Sequence, residues 1–355
     1  MQKLIFTSAP GTELDKVLAE MRPGKVFVLA DDNTVRLLPG LREKKSKCLS
    51  EAQVITITAG DEHKNLETLS HIWMQLSQKG ATRTSVLVNF GGGVVTDIGG
   101  FAAATFKRGI RFINVPTTLL GAVDAAVGGK TGINFSGLKN EIGVFREADT
   151  VVVSTVFFNT LPQAELLSGY AEMLKHGALQ GEETLLRLLG FDIDSDNLDL
   201  DALLDMLRES VMVKKRVVES DPTEQGLRKT LNLGHTIGHA LESLALERNH
   251  PVPHGYAVAC GLVGALVLSH IKAGYPSPSL HSVAAFVKDK YGAPDITCDD
   301  YPRLLQLMTH DKKNTAPDAV NFTLLSAPGK PEINRTASPE EIKTALDITR
   351  DLLGA

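Results

Sequence analysis

Three histidines and one carboxylate carry the strongest chemical signal in this chain. In the segment LNLGHTIGHA, His235 and His239 stand four residues apart, so on a helix their imidazoles share one face. His254, followed by Gly255, comes 19 positions after His235. Imidazoles joined by a carboxylate suit Zn²⁺ with one coordination position left open. Glu172 in GYAEMLKHGAL is the candidate carboxylate. Spacing alone leaves two ligand sets open: His235 with His239, or His235 with His254, each completed by Glu172. Lys175 follows Glu172 at i+3, which by itself reads as a surface ion pair.

A second group of residues suits anions. Asn89 to Asp97 reads NFGGGVVTD, an apolar run ending in three glycines at a helix start. Missing side chains there let backbone N–H groups approach a pyrophosphate at the positive helix end. The strict GxGxxG fingerprint is absent, because Thr96 takes its last glycine position. Asp31-Asp32-Asn33 closes an earlier strand pattern and could accept ribose hydroxyls, or be a polar turn. Further on come Arg108-Gly109, PTTLL at Pro116, Asp124, VGGKT with Lys130, and Lys139-Asn140. Cations, amides and threonines interleaved with glycine form an expected anion site.

The elements that must position these residues fall into two halves. Residues 25–30, 54–58, 85–90, 111–115 and 150–153 read as short apolar strands, and residues 65–79 show helical spacing. Such alternation argues for an α/β layer with a largely parallel sheet. Beyond Asn159-Thr160-Leu161-Pro162 helical patterns dominate, at 163–179, 198–220, 236–247, 256–273 and 278–291. The expected division is 1–160, α/β, and 161–355, all-α. The 355 residues fit roughly two domains. With 37 basic and 42 acidic residues the net charge is −5, so the broad basic face of a nucleic-acid binder is not expected. With 43% hydrophobic and 22% charged residues, the chain is not expected to be disordered. Cys48, Cys260 and Cys298 offer neither a disulfide framework nor a CxxC knuckle, as in a reducing cytoplasm. The apolar run near the start is short for a signal peptide. The stretch at 256–269 is shorter than the ~20 residues of a bilayer span. Neither a leader nor a membrane association is expected.

Together, in this order, GGGVVTD, RG, PTTLL, DAAVGGKT, KN, the Glu172/Lys175 helix, LNLGHTIGH, HG and DKK at Asp311 resemble the 3-dehydroquinate synthases of the sugar-phosphate cyclase family. The likeness runs from Asp31 to about Asn314. It implies a Rossmann-like NAD domain, a helical metal domain, and an active site in the cleft between them. It also chooses among the metal sets: the family's ligands for Zn²⁺ (or Co²⁺) fall on Glu172, His235 and His254, and His239 becomes a substrate contact. The dinucleotide positions implied are Asp31, Asn33, Lys64, Gly92, Gly93, Asp97, Thr117, Thr118, Lys130, Lys139 and Thr160. The substrate positions are Asp124, Lys130, Asn140, Lys175, Lys214, Arg228, Asn232, His239 and Lys312. Arg108 falls on a residue that the family supplies from a neighbouring subunit, implying a homodimer.

The implied activity converts 3-deoxy-D-arabino-heptulosonate 7-phosphate to 3-dehydroquinate and inorganic phosphate. It proceeds through oxidation by NAD, β-elimination, reduction, ring opening and intramolecular aldol closure. Lys130 and Arg228 suit the substrate carboxylate. Asn140, Asn232, His239, Lys312 and a neighbour's Arg108 suit its phosphate, and Asp124, Lys175 and Lys214 its hydroxyls. The chain departs from the family pattern at Ala125 and Ala126, where serine is usual, at Tyr256 in place of glutamate, and at Asp61 in place of glutamate. The rival readings are a sibling cyclase, a metal- and NAD-dependent polyol dehydrogenase, and an inactive NAD-binding scaffold.

Overall fold

The structure is a computed structural model that describes residues 2–41, 47–194, 196–222, 224–309 and 320–355. The chain divides into two compact units. One comprises Met1–Pro162 with Leu198–Val211, and the other Gln163–Asn197 with Met212–Ala355.

The first unit contains β1 (Lys3–Phe6), α1 (Pro10–Met21), β2 (Val26–Asp31), two four-residue helices α2 (Leu38–Leu41) and α3 (Lys47–Ser50), β3 (Gln53–Ile57) and α4 (Leu66–Gln78). It continues with β4 (Val86–Gly91), α5 (Gly93–Thr105), β5 (Arg111–Pro116), a hairpin of β6 (Lys130–Phe135) and β7 (Leu138–Phe145), and β8 (Thr150–Val153). Six strands form one sheet in the order β1-β8-β5-β4-β2-β3, and every pairing is parallel. Parallel strands are covered on both faces, which is why VFVLAD and VLVNFG read as continuous apolar runs and are buried along their whole length. The strands expected at 25–30, 54–58, 85–90, 111–115 and 150–153 all form, shifted by a residue or less. β1, α1 and the β6–β7 hairpin were not expected, since four residues or an interrupted apolar pattern carry little local signal.

The strand order changes direction beside β2. The chain leaves β2 for β3 on one side, and leaves β4 for β5 on the other. Such a switch point opens a crevice at the carboxyl ends of its two strands. Those ends carry Asp31 and Gly91.

The second unit contains α6 (Gln163–Gln180) and α7 (Glu182–Leu189). Helix α8 (Leu200–Ser220) is shared, with its first turns in the first unit. Then come α9 (His235–Glu247), α10 (His254–Ala273), α11 (Ser277–Lys290), α12 (Tyr301–Thr309), an antiparallel hairpin of β9 (Val320–Ala327) and β10 (Lys330–Ala337), and α13 (Pro339–Leu353). Helix α10 packs against α6, α9, α11, α13 and β9. It is long and apolar enough to cross a membrane, yet most of it is buried within this unit, as a core helix must be. Among the described residues the unit is helical with one hairpin, a correction to the all-α expectation for residues 161–355; β9 is apolar because α10 covers it.

Inside the sheet, Asn89 and Asn114 are register partners, and Asn89 Nδ2 donates to Asn114 Oδ1 at 2.9 Å. Both are buried. Truncation by Asn114→Ala leaves the Asn89 amide without that acceptor, at a cost of about 1–3 kcal/mol. A lowered urea midpoint with unchanged far-UV circular dichroism is the expected result; an unchanged midpoint would contradict it.

Candidate functional site

Helix α6 turns a continuous run, residues 166–178, into the interior. Glu172 is 0% and Lys175 2% exposed, so this is a buried ion pair, contrary to the surface pair that their spacing alone suggests. Lys175 Nζ donates to Glu172 Oε2. The other carboxylate oxygen, Oε1, is buried and has no hydrogen-bond partner. It faces His235 Nε2 at 3.3 Å and His254 Nε2 at 3.7 Å.

Close helix contacts make this possible. A Cβ on Gly255 would lie 2.0 Å from the Ser168 carbonyl, so only glycine lets α10 cross α6 one turn before Glu172. Gly255 N–H also donates to Ser168 Oγ at 3.1 Å. His254 is therefore delivered to Glu172 by the residue that follows it. His235 opens α9 directly after Gly234, whose φ of 79° favours glycine.

Each of these imidazoles is anchored behind. His235 Nδ1–H donates to the Leu233 carbonyl at 3.2 Å, and His254 Nδ1–H to Glu242 Oε2 at 3.1 Å. When neutral, both must then present the Nε2 lone pair toward Glu172 Oε1, an arrangement of three electron pairs that a cation relieves. Ligands of a tetrahedral Zn²⁺ at about 2.0–2.1 Å stand roughly 3.3–3.4 Å apart, close to the separations found here. The donor set fits a divalent metal. The third histidine joins the cluster: the ligand atoms of His235, His239 and His254 lie within 4.8 Å of one another. The His239 ring centroid is 5.1 Å from that of His235 and 5.8 Å from that of His254, and His239 is exposed.

Electrostatics follow from this crowding. Burial raises the Glu172 carboxyl pKa, but Lys175 and His235 outweigh it and hold it well below the ordinary range. Burial lowers His235, and Lys175 adds to the effect. Burial also works against protonated His254, but the nearby carboxylates of Glu172 and Glu242 raise it to about 10.

The same unit holds Lys214 and Arg228 buried. Arg228 Nη1 donates to the Pro222 carbonyl at 2.8 Å. Asn232 Nδ2 donates to Glu224 Oε1 at 3.0 Å, and Glu224 has a φ of 61°. Asp221 accepts from the N–H groups of Gln225, Gly226 and Arg228, which lowers its pKa and shapes the loop before Arg228. Glu224, Glu242 and Asp221 escaped the sequence reading. An H-x₃-H-x₂-E spacing on α9 was the available signal for Glu242; loop closure by Asp221 has no such pattern. Lys312 lies outside the described residues.

In the first unit, Asp31 Oδ1 accepts from Asn33 N–H at 3.0 Å and Thr34 N–H at 2.8 Å, forming a turn, and Thr34 Oγ1 donates to the Phe90 carbonyl at 3.1 Å. The Asp31–Asn33 turn and the glycine loop thus flank the switch point together. Gly92 caps α5 and Gly93 begins it. Thr117 N–H donates to the Gly91 carbonyl at 3.0 Å, and the buried Thr117 Oγ1 has no hydrogen-bond partner. An orphaned hydroxyl beside a helix N-terminus at the switch point fits a dinucleotide. Thr118 Oγ1 accepts from Gly121 N–H at 3.0 Å. Lys64, buried, donates to Asp97 Oδ2 at 3.1 Å and Asn140 Oδ1 at 2.6 Å. Lys139 pairs with Asp61 at 3.7 Å. Asp124 sits in a one-turn π-helix, Gly121–Ala125, and exposed Lys130 begins β6. Thr160 Oγ1 donates to the Phe157 carbonyl at 3.1 Å. Arg108 lines a surface hollow of about 600 Å³ with Thr82, Arg83, Thr105 and Lys107.

A folded pKa near 10 for His254, above the unfolded ~6.5, means that its protonated form stabilises the metal-free protein fully below about pH 6.5. That contribution is lost as pH climbs toward 10. The urea midpoint of the metal-stripped protein is expected to fall between pH 7 and 9, and His254→Gln to reduce that fall. Identical pH profiles for the two proteins would contradict the assignment.

Two family models match the chain, 3-dehydroquinate synthase N-terminal over residues 54–168 and 3-dehydroquinate synthase C-terminal over residues 169–314. A 3-dehydroquinate synthase of Parabacteroides distasonis is 47% identical over 353 residues, covering 99% of each chain. One from Pyrococcus abyssi is 44% identical over 76% of this chain and 77% of its own. Among solved structures, a 2-deoxy-scyllo-inosose synthase complexed with carbaglucose-6-phosphate, NAD⁺ and Co²⁺ superposes with a TM-score of 0.82 at 22% identity, over 97% of this chain and 95% of its own. A 2-epi-5-epi-valiolone synthase from Streptomyces hygroscopicus, with NAD⁺ and Zn²⁺ bound, gives 0.79 at 23%, over 99% of this chain and 97% of its own. The solved structures speak for the shared fold, and the identity with the two relatives speaks for more: this chain belongs to the 3-dehydroquinate synthase family.

Proposed function

We propose that this chain converts 3-deoxy-D-arabino-heptulosonate 7-phosphate to 3-dehydroquinate and inorganic phosphate, with NAD and Zn²⁺ or Co²⁺ as cofactors. The observation that carries the reading is Glu172 Oε1, a buried carboxylate oxygen with no hydrogen-bond partner that faces Nε2 of two histidines. When bound, NAD supplies reversible hydride acceptance at the substrate C5, and the metal supplies the Lewis acidity that acidifies a ligated hydroxyl.

In this reading Glu172, His235 and His254 hold the metal. Lys175 keeps Glu172 ionised and, with Asp124 and Lys214, orients the hydroxyls. Lys130 and Arg228 pair with the substrate carboxylate. Asn140, whose Oδ1 accepts from Lys64, would offer its Nδ2 hydrogens to a phosphate oxygen. Asn232, His239, Lys312 and Arg108 of the partner subunit complete the phosphate contacts. The departing phosphate takes the C6 proton on its own oxygen. The dinucleotide is held by Asp31, Asn33, Lys64, Gly92, Gly93, Asp97, Thr117, Thr118, Lys130, Lys139 and Thr160. The functional division follows residues 1–160 for NAD and 161–355 for the metal.

We further infer a cytoplasmic homodimer. The dimer reading, with Arg108 presented to a neighbour, is supported by the backbone at Lys107 and Arg108, two successive left-handed residues with φ of 50° and 68°. Strain of this kind costs about 1–3 kcal/mol per residue and persists where a side chain must be presented.

The test incubates the Zn²⁺-loaded protein with the heptulosonate phosphate and NAD⁺, following phosphate, dehydroquinate and nicotinamide absorbance together. Equimolar phosphate and dehydroquinate without net NADH is expected. No phosphate from this substrate would point to a sibling cyclase acting on another sugar phosphate, and NADH growth on a simple polyol to a dehydrogenase. His254→Ala is expected to lose metal and turnover while keeping its circular dichroism; full metal occupancy at normal rate refutes the ligand set. Lys130→Ala is expected to lower kcat/KM at least about tenfold, roughly 1.4 kcal/mol, and an unchanged value removes Lys130 from the site.

A further inference from the structure

The two imidazoles facing Glu172 are held from behind by unlike groups. Behind His235 stands a neutral carbonyl, that of Leu233; behind His254 stands a carboxylate, that of Glu242. Glu242 is largely buried, with 19% of its side chain exposed. It sits on α9 seven residues after His235 and three after His239, two turns along one helix face. A carboxylate accepting the Nδ1 proton selects the tautomer whose Nε2 carries the lone pair. It also locks the ring plane and makes Nε2 more basic.

We propose that Glu242 is a positioning residue of the metal site: acting through His254 and without touching the ion, it aims Nε2 at the cation and adds a second carboxylate charge to the cluster. The proposal rests on the metal reading above. It makes α9 a bifunctional helix, supplying one ligand directly through His235 and orienting another, on α10, through Glu242. It also makes the two histidine ligands unequal, since the Leu233 carbonyl behind His235 can orient the ring but carries no formal charge.

The test measures Zn²⁺ affinity of metal-stripped full-length protein by competition with a chromogenic chelator, for wild type, Glu242→Gln, Glu242→Ala and His254→Ala. Loss of such an outer partner typically weakens binding about 10–100-fold. Both Glu242 variants are expected in that range, with Gln losing less because its amide oxygen still accepts from Nδ1. His254→Ala is expected to lose more. The visible spectrum of Co²⁺-loaded Glu242→Gln should differ from wild type, a change that loss of general stability does not produce. Glu242→Gln, close to isosteric, carries the test if the Ala variant does not fold. A Zn²⁺ affinity within twofold of wild type for Glu242→Gln, beside a collapsed affinity for His254→Ala, overturns the role of Glu242 alone. Wild-type affinity in His254→Ala overturns the metal reading and this inference with it.

Discussion

A carboxylate taken wholly out of water must be matched on both oxygens or it destabilises the fold by several kcal/mol. Glu172 is in that position, and much of the second unit can be read as the consequence. One oxygen is matched within its own helix by Lys175, one turn on. The other has only imidazole nitrogens before it, and those nitrogens present protons only if the histidines are charged. The unmatched oxygen sets a demand that either a proton on His254 or a divalent cation can meet. Metal ligands bind in their deprotonated form, so a proton and a cation at that oxygen would exclude one another.

The packing around the acid is arranged to keep that choice local. Helices α6, α9 and α10 approach closely, and α10 is covered on nearly every side. The ring of His254, the first residue of α10, is oriented by its hydrogen bond to Glu242. One departure from the family pattern, Tyr256, lies in this core on α10, whereas Asp61, Ala125 and Ala126 lie in the first unit. Tyr256 places its ring edge-on to Tyr291 at 5.2 Å, and Tyr291 donates to the Leu167 carbonyl at 2.9 Å, so Tyr256 joins an aromatic cluster with Tyr291, Phe286 and Tyr170. Ala126 uses its backbone, its carbonyl accepting from Gln2 Nε2 and Asn114 Nδ2, each at 3.3 Å.

The first unit solves a different problem. A parallel sheet leaves its strand ends pointing the same way, and only where the winding reverses is there room beside two of them. Asp31 is bound into a turn there, and Thr34 ties that turn to β4. Lys64 links α5, through Asp97, to the β6–β7 hairpin, through Asn140. A single buried ammonium thereby ties a residue of the helix to a residue of the hairpin through two hydrogen bonds. Asn134 reinforces the link: its N–H donates to the Lys64 carbonyl at 2.7 Å and its Oδ1 accepts from Asn140 N–H at 2.9 Å.

What the sequence determined by itself was everything encoded over short range. Apolar runs and helical periodicity marked strands β2, β3, β4, β5 and β8 and the long helices α6, α8, α9, α10 and α11, because burial of a face writes itself into neighbouring residues. Residue type and spacing likewise marked His235, His239, His254 and Glu172. Tertiary structure alone decided that the Glu172–Lys175 pair is buried rather than solvated, and that Nε2 of His235 and of His254 faces Oε1. It alone decided that Glu242 stands behind one of them, and that the Asp31 turn is tied to β4 through Thr34. Glu172 and His254 are 82 residues apart in the chain. Only the crossing of α10 over α6 at Gly255 brings them together, and no local pattern records where two helices will cross.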